Sequence, residues 1–175
     1  SNELVNNVDE IKHPILREAL HELIPNGGVE IVSSADIPSC TGLGSSSTFT
    51  VALHHALYSY IGKFVSKEKL ARKACEMEIE KLREPIGKQD QYAAAYGGLN
   101  FIEFNPDDSV VVTPLMLPKE TTKRLEENLL LFYMGDQRDT REILKDQSKQ
   151  VSMSDEKFNN LKQMVDLAHK MREQL

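Results

Sequence analysis

Tryptophan is absent and cysteine nearly so: the 175 residues hold only Cys40 and Cys75. Two thiols build neither a disulfide framework nor a cysteine metal cluster, which points to a reducing compartment, the cytoplasm. No apolar run approaches the roughly 20 residues that a membrane helix needs. The longest are Leu129–Met134 and Val110–Val112. The opening Ser1-Asn2-Glu3-Leu4 lacks the basic-then-apolar form of a secretion signal. There is no Lys/Arg block, and Asp plus Glu outnumber Lys plus Arg by 27 to 21, a net charge of −6. A net acidic surface repels phosphate backbones and anionic lipid, so neither nucleic acid nor a membrane is an expected partner. Repeats and low-complexity tracts are also missing. What is present is 40% hydrophobic residues, enough for a packed core. The length suits one domain, or one domain plus part of another.

Helical spacing of Ile11, Ile15, Leu16, Ala19, Leu20 and Leu23 predicts a helix over Asp9–Leu23, ended by Pro25-Asn26-Gly27-Gly28. Val29–Ser34 alternates as a strand does. The densest turn signal follows, Ile37-Pro38-Ser39-Cys40-Thr41-Gly42-Leu43-Gly44-Ser45-Ser46-Ser47-Thr48, and then a helix with Phe49, Ala52, Leu53, Ala56, Leu57 and Tyr60 on one stripe. Ser66 is a good N-cap for a second helix reaching about Leu82. After Pro85 and Gly87, a short helix spans Asp90–Tyr96. Strands are expected at Leu99–Phe104 and Val110–Leu115 around the turn Asn105-Pro106-Asp107-Asp108. A short helix near Thr121–Glu127, a buried strand Leu129–Met134 and helices near Arg141–Gln150 and Asp155–Leu175 complete the pattern. Phe158, Leu161, Val165, Ala168 and Leu175 would be the buried face of the last helix, which is still amphipathic at the final residue.

A strand, a Gly/Ser-rich loop and a helix together form an anion cradle. Glycines let backbone N–H groups approach phosphate, and the helix N-terminus adds partial positive charge. A Walker A loop fails here because no Lys follows Gly42 or Gly44. A dinucleotide fingerprint, and the glycine loop of protein kinases, need glycine where Ser47 stands. The plain alternative, a Ser-capped helix after a tight turn, needs one Ser and one Gly rather than this run.

Two carboxylates stand out. Ala71, Cys75, Glu78 and Leu82 step by four, three and four, so Glu78 projects from a largely apolar helix face. A carboxylate there is costly unless it is paired, metal-bound or reaches water at the stripe's edge. Asp90, at the start of the short helix, reads by itself as an N-cap.

Pro38-x-x-x-Gly42-Leu43-Gly44-Ser45-Ser46-Ser47 resembles the second signature motif of the GHMP kinases, the superfamily of galactokinase, homoserine kinase, mevalonate kinase and phosphomevalonate kinase. In galactokinase-like and mevalonate-kinase-like members a metal-binding Glu precedes a loop Pro by seven residues, and a catalytic Asp follows that Pro within four or five. Glu78, Pro85 and Asp90 reproduce seven and five. The resemblance implies ATP and Mg²⁺ as cofactors. Pro38, Thr41, Gly42, Leu43, Gly44, Ser45, Ser46 and Ser47 would wrap the ATP phosphates, Ser46 and Glu78 would hold Mg²⁺, and Asp90 would accept the proton of the substrate hydroxyl.

The run Gly87-Lys88-Gln89-Asp90-Gln91-Tyr92-Ala93-Ala94-Ala95-Tyr96-Gly97-Gly98-Leu99-Asn100 looks like the bacterial D-glycero-D-manno-heptose 7-phosphate kinases. These phosphorylate the anomeric oxygen to give the 1,7-bisphosphate, so a sugar phosphate is the implied partner, with Lys88, Gln89, Arg138 and Arg141 as candidates for gripping it. Two readings stay beside this one: another GHMP kinase of galactose, fucose or mevalonate type, and a non-catalytic phosphate-binding module. The implied fold is α+β. Residues 1–118 would be a ribosomal-S5-domain-2-like N-terminal domain lacking its first strands, and 119–175 the start of a ferredoxin-like C-terminal domain. The family's N-terminal and C-terminal glycine-rich motifs have no counterpart in this sequence. The expectation is an interior portion of a longer kinase, weak or inactive alone, and compatible with a homo-oligomer.

Overall fold

The computed structural model describes residues 2–36, 42–132, 144, 146 and 154–175. They fall into two compact units, Ser1–Gly97 and Gly98–Leu175. The expected boundary near Pro118 lies inside the second.

The first unit is helical. After a 3₁₀ turn at Val8–Glu10, helix α1 runs Pro14–Leu23. It starts later than the periodicity predicts because Pro14 takes the first helical position, where its missing N–H costs nothing, and His13 Nδ1 accepts the Leu16 N–H as a cap. Helix α2 is Ser45–Tyr60 and α3 is Lys67–Cys75, the latter capped by Ser66, whose hydroxyl accepts the Lys69 N–H. The chain then widens out of α-geometry: Glu76–Lys81 is a turn of π-helix, with the Leu82 N–H reaching the Met77 carbonyl five residues back. The single helix expected to Leu82 is therefore an α-helix with a π-turn at its end. Helix α4 is Gln89–Tyr96.

Val8, Ile15, Ala19, Leu20, Leu53, Leu57 and Met77 form the main core, and Tyr58, Val65 and Leu70 a second one. The buried face of α2 is not the stripe expected. Ala52, Ala56 and Tyr60 face outward, while Ser47, Thr50 and His54 are buried beside Val51, Leu53 and Leu57. The interior that α2 faces is partly polar, so an apolar stripe mislocates it. Val29–Ser34 is another correction. Val29 and Ile31 pack on the core and Val32 is exposed, as the alternation implies. Among the described residues, however, no strand lies beside them to complete a ladder.

In the second unit, β1 (Asn100–Phe104) pairs antiparallel with β2 (Val110–Pro114), in a register that sets Ile102 opposite Val112. Asp108, at φ 69°, completes the turn, and its N–H donates to the Asn105 carbonyl. Helices α5 (Lys119–Glu127) and α6 (Asp155–Gln174) follow. Phe101 of β1 meets the His169 ring at 5.2 Å and the Arg172 guanidinium at 4.6 Å. Two expectations fail here. Leu129–Phe132 forms no strand and is largely exposed, and no residue of α6 is fully buried. Apolar residues state a demand for burial, but the partner that meets it lies elsewhere in a sequence. Tyr133 and Met134, the end of that expected strand, and most of the helix expected at Arg141–Gln150 lie outside the described residues.

One ionic cluster fastens α1 across the π-turn. Glu22 sits 2.7 Å from Lys73 of α3 and 2.7 Å from Lys81 of the π-turn, and Lys73 also reaches Glu76 at 2.9 Å. Partial burial opposes ionisation of Glu22. The two lysine hydrogen bonds and charges outweigh it and hold the carboxyl down at about 2, against an ordinary 4.5. A depressed carboxyl contributes stability above its unfolded pKa and loses it as pH falls through the folded one. Glu22→Gln should therefore cost about 1 kcal/mol at neutral pH, after solvent screening of a partly exposed cluster. In urea titrations, the variant should also lose less stability than wild type between pH 4.5 and 2.

Candidate active site

The site is built where α2 begins. Gly44 stands just before the helix in the left-handed region, at φ 67°, and offers no side-chain cap. The first intrahelical bond runs from the Thr48 N–H to the Gly44 carbonyl, so the N–H groups of Ser45, Ser46 and Ser47 open toward the preceding loop without an intrahelical acceptor. A sixteen-residue helix ending in this way offers donors and partial positive charge to an anion.

Ser46 is exposed, and its hydroxyl donates to Glu78 Oε1 at 2.7 Å. Glu78 comes from the π-turn and is 1% exposed. Met77 and Glu78 are both buried there, Met77 in the apolar core and Glu78 against Ser46 of α2. Glu78 accepts on both oxygens: Gln91 of α4 donates from Nε2 to Oε2 at 2.7 Å. No ion pair reaches Glu78 among the described residues.

Asp90 precedes Gln91 on α4 and is exposed. It abuts the loop: a β-carbon built on Gly44 would lie 3.1 Å from both Cγ and Oδ2 of Asp90. It is not an N-cap, since α4 begins at Gln89 after Lys88 with no side-chain cap. The structure thus brings together Gly44, Ser46, Glu78 and Asp90, expected from the sequence, with Gln91, which was not. Gly42 and Leu43 lie exposed just before Gly44, Ser45 is half-buried, and Ser47 turns its side chain inward. Lys88 and Gln89 lie at the start of α4, beside Asp90 in sequence. Pro38, Thr41, Arg138 and Arg141 lie outside the described residues.

A polar line continues inward along α2. Thr50 Oγ1 donates to the Ser46 carbonyl at 3.0 Å, and His54 Nδ1–H donates to the Thr50 carbonyl at 2.8 Å. Burial, more than any neighbour, pushes the His54 pKa below its ordinary value, and its Nε2 is buried without a partner. On the far side, α4 is fastened to α3 through Glu68, which accepts from the Tyr92 and Tyr96 hydroxyls at 3.1 Å each. Burial and the Glu68 charge push the Tyr92 phenol up to about 12, so it remains a donor.

Residues 9–98 match the sequence model of the GHMP kinases N terminal domain. This chain belongs to the GHMP kinases. The α+β mixture of helices with a small sheet is consistent with that fold. A curated relative, the D-glycero-alpha-D-manno-heptose 7-phosphate kinase of Campylobacter jejuni, is 35% identical over 123 residues, which are 70% of this chain and 36% of the relative. The bifunctional fucokinase/GDP-fucose pyrophosphorylase of Arabidopsis thaliana is 26% identical over 155 residues, 87% of this chain and 15% of that protein. A crystal structure of a D-glycero-D-manno-heptose 1-phosphate kinase from Bacteroides thetaiotaomicron superposes with a TM-score of 0.55 at 32% identity, over 65% of this chain and 37% of that one. The chain spans about a third of the length of the heptose kinases it matches. No helix among the described residues is long and apolar enough to cross a membrane.

The donor set fits Mg²⁺. Among the described residues, no three His, Cys, Asp or Glu side chains gather into a metal cage. Mg²⁺ does not need one: it takes one or two protein oxygens and completes its shell with phosphate and water. A hydroxyl and a carboxyl oxygen 2.7 Å apart, beside uncapped helix N–H groups, meet that requirement.

Gly44 gives a direct check on the closeness of Asp90. Gly44→Ala should cost about 1–2 kcal/mol for its left-handed backbone and, in addition, displace Asp90. Gly62→Ala has a similar φ of 70° but open space around the added carbon. Urea denaturation should show the Gly44 variant to be the less stable of the two, and truncating Asp90 to Ala in the same chain should recover part of the difference, since the Asp90 β-carbon stays 3.2 Å from the added one.

Proposed function

We propose that the full-length protein is an ATP- and Mg²⁺-dependent sugar kinase. In this reading it transfers the γ-phosphate to the anomeric oxygen of D-glycero-D-manno-heptose 7-phosphate and yields the 1,7-bisphosphate. The observation that carries the reading is the convergence of Ser46, Glu78 and Asp90 on the N-terminus of α2. Phosphoryl transfer asks little covalent chemistry of a protein; most of the work is positioning and charge neutralisation. Ser46 and Glu78 would hold Mg²⁺, which neutralises charge on phosphate oxygens when bound. The backbone N–H groups of Gly42–Ser47, with Pro38 and Thr41 upstream, cradle the phosphates. Asp90 is exposed and so can reach substrate. It orients the acceptor hydroxyl and takes its proton. Lys88, Gln89, Arg138 and Arg141 grip the sugar and its phosphate, the guanidinium groups by paired hydrogen bonds.

The same reading assigns residues 1–118 to the kinase's N-terminal domain and 119–175 to the start of the C-terminal one, and sets the protein in the cytoplasm. The relative from Campylobacter jejuni supports the 7-phosphate as acceptor. The fucokinase relative supports a second reading, a free sugar such as fucose. Assaying the full-length protein against heptose 7-phosphate, heptose 1-phosphate, fucose, galactose and mevalonate separates these. Turnover of fucose with none of heptose 7-phosphate would overturn the first.

Asp90→Asn should lower kcat roughly 10²- to 10⁴-fold with nucleotide affinity nearly unchanged. A non-catalytic phosphate-binding module would show no such drop. Arg138→Ala should raise KM for the sugar phosphate about tenfold or more and leave KM for ATP alone, as expected for losing a charge-assisted pair.

A further inference from the structure

Gln91 is fully buried, and only half of its amide is used. Nε2 donates to Glu78 Oε2 at 2.7 Å, while Oε1 is buried with no hydrogen-bond partner. The amide cannot be turned to relieve this, because a flip would set an acceptor against an acceptor. An orphaned buried acceptor is unfavourable, and an apolar side chain of the same length would fill the space without one. The residue is thus poorly chosen for stability and well chosen for placing an N–H on Oε2 of Glu78.

With Gln91 on Oε2 and the Ser46 hydroxyl on Oε1, rotation of the Glu78 carboxyl group is blocked from both sides. Ser46 is exposed and its hydroxyl can turn to another partner; Gln91 is sealed in and cannot. Gln91 also sits next to Asp90 on the first turn of α4. The bond that orients Glu78 therefore also fixes that turn, and with it the place of Asp90 against Gly44.

We infer that Gln91 is a positioning residue: it holds Oε1 of Glu78 toward Ser46 and the phosphate loop, presetting the Mg²⁺ site. The inference rests on the reading of Ser46 and Glu78 as Mg²⁺ ligands. Groups behind a metal ligand typically govern affinity by 10- to 100-fold.

The test uses Mn²⁺ as an EPR-visible stand-in, bound to the full-length protein with a non-hydrolysable ATP analogue. Gln91→Met keeps the volume and removes the donor; Gln91→Leu removes it with a smaller, branched side chain. Both should weaken Mn²⁺ binding roughly 10- to 100-fold and broaden its spectrum, with unchanged circular dichroism and unchanged metal-free nucleotide affinity. Should Gln91→Met fail to fold, Gln91→Leu decides. Mn²⁺ binding within twofold of wild type in the Gln91 variants, alongside its loss in Glu78→Gln, overturns the positioning role and leaves the metal reading standing. Wild-type Mn²⁺ binding by Glu78→Gln overturns the metal reading itself, and the role of Gln91 with it.

Discussion

A carboxyl group 1% exposed, with hydrogen-bond donors on both oxygens and no ion pair among the described residues, is the constraint around which the first unit is arranged. Burying such a group is unfavourable unless its oxygens are satisfied. Glu78 is satisfied by side chains from two other helices, Ser46 of α2 and Gln91 of α4. Three elements distant in sequence must therefore meet at one point, and the loop before α2 and the exposed Asp90 come with them. An ordinary apolar contact tolerates a small slide of one helix on another. Two short hydrogen bonds to one carboxyl group do not.

The surroundings of this point are fastened from outside. Glu22 binds Lys73 and Lys81, one on each side of the boundary between α3 and the π-turn, and so clamps the segment that carries Glu78 onto α1. Glu68 holds Tyr92 and Tyr96 and fixes α4 to α3. The charged members of these clusters are only partly buried, so their charges remain partly hydrated. Thr50 and His54 extend the polar interior away from the site, the histidine's pKa held below its ordinary value mainly by burial.

Much of this was legible in the sequence because the chemistry is local there. Ser66 and the Gly44–Ser47 turn mark helix starts through backbone geometry and capping; Pro14 marks one too, although the apolar periodicity runs on past it to Asp9. The spacing of Glu78, Pro85 and Asp90 carries the family resemblance. Gln91 was open to inference on one ground: a carboxylate on an apolar face needs donors, and a Gln beside Asp90 is available to supply one. Other features had no such signal. The π-turn leaves no period of its own, since a single wide turn is too short to repeat a pattern. Ala52, Ala56 and Tyr60 were misread because the true buried face of α2 mixes Ser47, Thr50 and His54 with its apolar residues. Val29–Ser34, Leu129–Phe132 and α6 show a third limit. Alternation and apolar runs describe one surface of a contact, and the other surface is set by tertiary pairing.

The π-turn has a consequence for how this segment tolerates change in length. Each residue of a regular helix advances the side chains by about 100°, so the wide turn at Glu76–Lys81 is a register fault between α3 and the loop leading to Asp90. Deleting one residue there would heal the fault and give a smoother, intrinsically better helix. It would also swing the side chains that follow the deletion by about 100°, taking Lys81 away from Glu22. A perfect helix and a lysine placed to clamp α1 are alternatives in this segment, and the chain has taken the second.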